Sequence, residues 1–272
     1  MAAELHHRDP KWIQAIVGIF PILRAIWRVE IHGLENIPEG PVVLISNHNI
    51  GAPVEIFALA YAWEKRFRFK FDHPVYGLGH RFAFRTPGLA TLVKKLGTVP
   101  AEYASAKKVL ESGFPLIIFP GGNSEVCRPY KDRHHVEFSG RRGWVKIAQG
   151  AKKRVLPIAV VGSHGINPVL FRSRWLSKFL FLERAFGLKW FPITVSQIFW
   201  ITVFLWQTWG QIHPSFSASA TIAILLLTPL NPIFPAKVRI FFMKPFDVSE
   251  LSEDEVYKKT VSLIDSKLKE FA

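Results

Sequence analysis

The stretch Phe114-Pro115-Leu116-Ile117-Ile118-Phe119-Pro120-Gly121-Gly122-Asn123-Ser124-Glu125 is an apolar run that stops at a Pro-Gly-Gly turn. A short apolar run bounded by turn residues reads as a buried strand. Two glycines after it let bare backbone N–H groups approach whatever lies above the sheet edge. Upstream, Val42-Val43-Leu44-Ile45-Ser46 is a second such strand. It ends in Asn47-His48 and continues as Asn49-Ile50-Gly51-Ala52-Pro53-Val54-Glu55. Ligand sites in open α/β sheets lie beyond strand ends, so His48 and the Gly121-Gly122 turn can converge as a base and an anion cradle. Alone, the turn is an ordinary loop and the His a structural residue; together they point to a site.

The rest of the chain alternates. Strand-like runs fall at 29–32, 42–46, 116–119, 155–161 and 237–242, and helical stretches at 54–64, 103–111 and 143–149. A last helix opens on Ser252-Glu253-Asp254-Glu255, a capping box, and sets Val256, Leu263, Ile264 and Leu268 on one face. This pattern predicts an α/β fold with a mixed sheet flanked by helices. Without a repeat, low-complexity tract or linker, one domain over 29–272 is expected. Before it, residues 1–28 form a helical segment that either lies in a membrane interface or packs on the core.

With 272 residues, 49% of them hydrophobic, the chain can bury a full core. Its formal charge of +14 comes with 23 Phe and 9 Trp. That pairing suits anionic lipid and phosphorylated ligands. Nucleic acid is not indicated, because the cations are spread along the chain and no nucleic-acid motif appears. Cys127, the sole cysteine, allows no intrachain disulfide and fits a reducing compartment. Glu4, Arg8, Asp9 and Pro10 ahead of the first apolar run do not read as a secretory leader.

Residues 190–236 are 47 positions without Lys, Arg, Asp or Glu. Pro192, Pro214, Pro229, Pro232 and Pro235 interrupt them, so two clean spans of about 20 residues are not available. The expectation is an apolar insert seated in a membrane as a hairpin or re-entrant pair, with one or two short true spans as the alternative. Arg172, Arg174, Lys178, Arg184 and Lys189 lead into it as a headgroup-facing rim. Membrane association, at the cytoplasmic face, follows.

Asn47-His48 with a later acid, and then Phe119-Pro120-Gly121-Gly122 with Glu125, resembles the glycerolipid (lysophosphatidate acyltransferase-like) acyltransferase superfamily. Further blocks agree in order: 29–38, 96–101, Arg128-Pro129-Tyr130-Lys131-Asp132-Arg133 with Gly140-Arg141-Arg142-Gly143, and Leu156-Pro157-Ile158. The resemblance runs over residues 27–165, with a final strand near 237–242. It implies a glycerol-phosphate acyltransferase-like fold, an O-acyltransferase activity without cofactor, and acyl-CoA or acyl-carrier protein as co-substrate. Two departures stand out. The usual His-x4-Asp would put the acid at Pro53, and the nearest acid is Glu55. The usual Phe-Pro-Glu-Gly-Thr-Arg block has Gly121 and Ser124 at its Glu and Arg places. That variant is similar to enzymes acylating neutral lipid alcohols. A lysophosphatidate or lysophospholipid acyltransferase is the second reading, and a non-catalytic membrane-binding protein with a degraded site the third.

Acyl transfer from a thioester to a hydroxyl needs a base and an oxyanion donor, and neither a metal nor an enzyme nucleophile. His48 supplies an imidazole, the side chain suited to general-base work, and Glu55 is its candidate partner. The N–H groups of Gly121, Gly122 and Asn123 are candidates for oxyanion or phosphate binding. Glu125, Lys131, Arg133 and Arg141 are candidates for a supporting or substrate-binding role. Gly122-Asn123-Ser124-Glu125-Val126 lacks the last Gly of a nucleophile elbow, and adjacent His134-His135 has no zinc spacing.

Overall fold

The computed structural model describes residues 5, 8–50, 52–229 and 231–272, and no side chains for Ala52 and Pro53. The readings made at Glu4, Gly51 and Pro53 therefore fall outside the description.

The chain opens with helix α1 (Pro10–Trp27), strands β1 (Glu30–His32) and β2 (Val43–Ser46), and helix α2 (Ala52–Arg66). Strand β3 (Tyr76–Gly79), helices α3 (Arg81–Arg85) and α4 (Leu89–Lys95), and strand β4 (Thr98–Pro100) follow. Next come α5 (Tyr103–Glu111), β5 (Leu116–Ile118), α6 (Gly122–Val126), α7 (Gly143–Gly150) and β6 (Val155–Val161). An apolar lobe then runs through β7 (Val169–Ser173), α8 (Arg174–Phe179), α9 (Leu182–Phe186), β8 (Phe191–Thr194), α10 (Val195–Thr208) and α11 (Pro214–Leu227). Strand β9 (Arg239–Phe242) and helix α12 (Glu253–Lys269) close it.

Seven strands form one sheet in the order β1-β9-β6-β2-β5-β3-β4. Strands β6, β2, β5, β3 and β4 are mutually parallel. β9 runs antiparallel to β6, and β1 runs parallel to β9. The expected mixed, helix-flanked sheet is thus present, with parallel pairs predominating. β2 and β6 are buried along their whole length, the mark of a parallel strand covered on both faces. On one face Val43, Ile45, Leu116 and Val155 meet α5, α7 and α12. On the other, Leu44, Leu156, Ile158 and Val160 meet Phe20 of α1 and Val54, Ala58 and Trp63 of α2. Each such side chain contributes about 1.5–3 kcal/mol on burial.

Helix α1 is capped by Asp9, whose side chain accepts the Lys11 N–H at 3.0 Å. Its inner face, Ile13, Ile16, Phe20 and Leu23, is buried, while Trp12, Ile19, Ile22 and Ile26 are exposed. It is a core-packing helix with a second, apolar outer face. A buried Arg8–Glu64 pair ties its start to α2. In α12 the capping box forms at Ser252 and Glu255. Val256, Ile264 and Leu268 are buried and Leu263 is exposed, a correction to the expected face; Thr260 takes its place, bonding the Val256 carbonyl at 2.8 Å. Strands β3, β4, β7 and β8 are not in the sequence reading. Residues 190–236 hold β8, α10 and α11, and no described helix is long and apolar enough to cross a membrane.

One side chain extends the sheet. Asn47 donates from Nδ2 to the Val160 carbonyl at 2.8 Å and accepts the Val160 N–H on Oδ1 at 2.8 Å. It therefore stands in for one more ladder pair between β2 and β6, just before His48. Asn47→Ala leaves two buried backbone groups unpaired, at about 1–3 kcal/mol each. We expect a loss of about 3 kcal/mol in denaturant unfolding with an unchanged m-value.

Candidate active site

Because β2, β5 and β6 are parallel neighbours, the segments after them emerge at one sheet edge. His48 leaves β2, Gly121 leaves β5, and Ser163-His164 leave β6. Gly162 makes the last turn possible: its φ is +84°, and a Cβ there would lie 2.1 Å from the Lys237 carbonyl oxygen.

His48 Nδ1 lies 2.9 Å from Glu55 Oε2. Glu55, in the first turn of α2, is fully buried, whereas the His48 side chain keeps 15% of its surface exposed. The carboxylate also accepts from the Asn49 backbone N–H at 3.4 Å and from the Asn49 side-chain amide, which reaches Ser163 Oγ as well. With Nδ1–H donating to the carboxylate, the outer ring nitrogen, Nε2, carries the free lone pair. Phe119, at the end of β5, packs against the imidazole with centroids 4.6 Å apart.

The turn after β5 is filled from below. A Cβ on Gly121 would lie 2.3 Å from Glu125 Cβ, 2.4 Å from Glu125 Oε2 and 2.6 Å from the Glu137 carbonyl oxygen. No side chain fits at 121, because the Glu125 carboxyl occupies that room from one helical turn later. Gly122, at φ +49°, is covered by Arg141, whose guanidinium donates to the Pro120 and Gly121 carbonyls at 3.1 Å each. The Gly122 N–H already bonds the Phe119 carbonyl at 3.3 Å, so it is committed to the turn itself. The Asn123 side chain holds Trp190, its amide donating to the Trp190 carbonyl at 3.0 Å and its oxygen accepting the Trp190 N–H at 2.7 Å.

Behind the turn Glu125 is fully buried, accepting on Oε1 from Arg128 at 3.2 Å and from the Glu137 N–H at 3.3 Å. Arg128 is buried too and donates to His164 Nε2 at 3.0 Å. Burial, with the Arg128 charge beside it, holds His164 well below the usual imidazole range. Burial likewise pushes the Glu125 carboxyl up to about 7, against the pull of Arg128. Sequence reading passed over Arg128, His164, Ser163 and Asn49. The Glu125–Arg128 spacing of three, and the strand-end position of Ser163-His164, are the signals that point to them.

The remaining candidates spread out. Lys131 is exposed, and Arg133 stacks on Tyr130 at 4.3 Å. Arg142, next to Arg141 in sequence, pairs with Asp254 at 2.5 Å on the surface. Arg172 is no part of a rim. It forks onto both Glu137 carboxylate oxygens at 3.0 Å, donates to the Ser124 carbonyl at 2.7 Å and stacks on Trp190 at 4.5 Å.

A family model described as Acyltransferase matches residues 28–161, the interval that carries every one of these site elements up to the end of β6. Over these residues the chain belongs to the acyltransferase family. An uncharacterised protein of Mycobacterium tuberculosis is 31% identical over 195 residues, 68% of this chain and 51% of its own length. A "DGAT1/2-independent enzyme synthesizing storage lipids" from Gallus gallus is 26% identical over 197 residues, 69% of this chain and 57% of its own. The chain thus spans about half the length of the curated relatives it matches. The crystal structure of the 1-acyl-sn-glycerophosphate acyltransferase PlsC from Thermotoga maritima superposes with TM-score 0.51 at 17% identity. It covers 97% of this chain and 83% of that one, a likeness of fold.

Within this acyltransferase fold the raised Glu125 has a measurable consequence. Its protonated form is favoured in the native state, so its contribution to stability is full below the unfolded value of 4.5 and is lost as pH rises toward about 7. One proton bears at most about 1.4 kcal/mol per pH unit. In paired urea titrations between those pH values, Glu125→Gln should lose this slope and gain on wild type as pH rises. An unchanged slope would mean that Glu125 is ionised throughout.

Proposed function

We propose that this chain transfers a fatty acyl group from a thioester to a hydroxyl of a glycerolipid or other lipid alcohol, with His48 as general base. The observation that carries the reading is the His48–Glu55 contact of 2.9 Å, made by a carboxylate with no exposed surface. His48 Nε2 takes the hydroxyl proton while the oxygen attacks the thioester carbonyl carbon. Glu55 stabilises the resulting imidazolium and fixes its tautomer. Backbone N–H groups of Gly121 and Asn123 receive the oxyanion. Collapse expels the thiolate, which takes the proton back from His48. Acyl-CoA or acyl-carrier protein is the donor, and no cofactor enters the scheme. Glu55 answers the lack of an acid at Pro53 that favours a non-catalytic protein.

A neutral acceptor is the preferred reading. No guanidinium stands at 124, where the side chain is a buried Ser, and the relative named for storage-lipid synthesis supports the same class. Phosphorylated acceptors are the second reading, since Arg141 borders the turn. A lipid acceptor puts the enzyme at a membrane. The lone thiol and the charge of +14 suit its anionic cytoplasmic face. The chain then works as one acyltransferase domain, residues 29–272.

Labelled acyl-CoA supplied with a panel of acceptors tests this. We expect His48→Ala to lower turnover by about 10²–10⁴-fold and Glu55→Gln to lose much of the rate with the fold intact. Near-normal activity in folded His48→Ala sinks the mechanism. Rates on mono- or diacylglycerol should exceed those on lysophosphatidate; the reverse order would assign acceptor binding to a cation beside the turn, Arg141, Arg133 and Lys131 being the first to change.

A further inference from the structure

Helices α10 and α11 pack on one another and carry no ionisable Lys, Arg, Asp or Glu. In α10 only Ser196 and Gln197 are buried, and α11 has no buried residue. Trp206, Trp209 and Leu227 stand 79%, 85% and 79% exposed. A partner protein covers one side of a helix and calls for an apolar stripe; α11 carries no charge on any side, and its Ser and Thr are confined to residues 215–221. Several hydroxyls of the pair are spent internally. Ser219 bonds the Ser215 carbonyl at 3.0 Å, Thr221 that of Ser217 at 2.9 Å and Thr228 that of Ile224 at 2.7 Å, while in α10 Thr208 bonds Phe204 at 2.8 Å. Hydroxyls that find partners within their own segment suit a medium that offers no hydrogen bonds.

The polar contacts collect at the base of the hairpin. Gln197 donates to the Leu225 carbonyl at 2.8 Å, Ser196 to that of Thr228 at 2.7 Å, and Asn167 to that of Pro229 at 2.7 Å. Beside the base, α8 and α9 expose Trp175, Phe179 and Phe181 with Lys178 and Arg184, and Lys189 follows. Aromatic rings interleaved with cations match the headgroup layer of an anionic leaflet. Each helix of the pair has 14 residues, about 21 Å at 1.5 Å per residue, against a hydrocarbon core of about 30 Å. The hairpin is long enough to enter one leaflet and too short to cross two.

Trp190 opens the strand that runs directly into α10, and it is the residue gripped by the Asn123 side chain on the turn after β5. Arg172 doubles the grip by bonding the Ser124 carbonyl and stacking on Trp190. We propose that the α10–α11 hairpin seats monotopically in an anionic bilayer and that the Asn123–Trp190 latch carries its seating to the oxyanion turn. The importance of that turn rests on the function proposed above; the docking surface does not.

The test uses the full chain with vesicles of phosphatidylcholine, with and without phosphatidylglycerol. Wild type should float with the anionic vesicles and stay bound at about 1 M salt, where exposed charges are screened. Trp206→Glu/Trp209→Glu, remote from the turn, should float at least about tenfold less, since each buried charge is costly in hydrocarbon. Vesicles should also slow amide hydrogen exchange over residues 119–126 in wild type. Asn123→Ala should float like wild type without that slowing. A folded wild type that stays in solution or is stripped by salt, a double variant that floats equally, or a Trp206-dependent dimer in place of flotation would overturn the docking. Exchange unaffected by vesicles in wild type, or slowed equally in Asn123→Ala, would overturn the latch. Absence of turnover in a protein that floats counts against the acyl-transfer reading alone.

Discussion

The burial of one charge organises the site. A carboxylate removed from water costs several kcal/mol unless it is paired and hydrogen-bonded, and Glu55 has no exposed surface at all. It is served by the His48 ring, the Asn49 backbone N–H and the Asn49 amide. To bring these together the chain must leave β2 as Asn47-His48-Asn49 and return a first-turn Glu at the start of α2, where the helix end favours an anion. The Asn47 side chain, locked to Val160, sets the angle at which that segment departs. Ser163 closes the circle by holding Asn49 from the third strand. Removing any one donor leaves the buried Glu55 carboxylate short of a hydrogen bond.

The parts of this arrangement differ in how plainly they stand in the sequence. Apolar runs with punctuated ends made β2, β5 and β6 legible, and the Ser252 capping box made the last helix so. Strands β3 and β4 were not, for physical reasons. Tyr76–Gly79 contains two glycines and Thr98–Pro100 only three residues, and both hold their places through the parallel ladder rather than through their own propensity. Leu263 illustrates a narrower failure: helical period identifies a face but not its edge, where a Thr that bonds its own helix can be buried and a Leu left out. Pairing between His48 and Glu55 was expected from the family resemblance, Glu55 being the nearest acid after His48. The buried chain Glu125–Arg128–His164 was not, because it joins two strand ends whose proximity only the sheet order reveals.

Arg172 makes the same point about charge. In the sequence it is one cation in a basic run ahead of an apolar block. In the fold its planar fork matches both oxygens of Glu137, its guanidinium stacks on Trp190, and one N–H reaches the Ser124 carbonyl. A lysine offers a point charge and no such fork, so this position is specified by geometry, whereas Lys178 and Lys189 stand exposed. Cys127 is likewise fixed by its surroundings. Burial pushes its thiol up to about 12, so it is an inert filler between the turn and the lobe.

The lobe from β7 to α11 leaves the sheet after β6 and rejoins it at β9, and these two strands are adjacent and antiparallel. The whole excursion therefore occupies the position of a hairpin loop. Its outer helices, α10 and α11, can drift in length and composition without altering strand order or register, while Arg172 and Trp190 are held by their grip on the turn after β5. Such a point of attachment separates the surface that meets the surroundings from the sheet beneath it, so a change in the outer helices need not pass into the strand ladder.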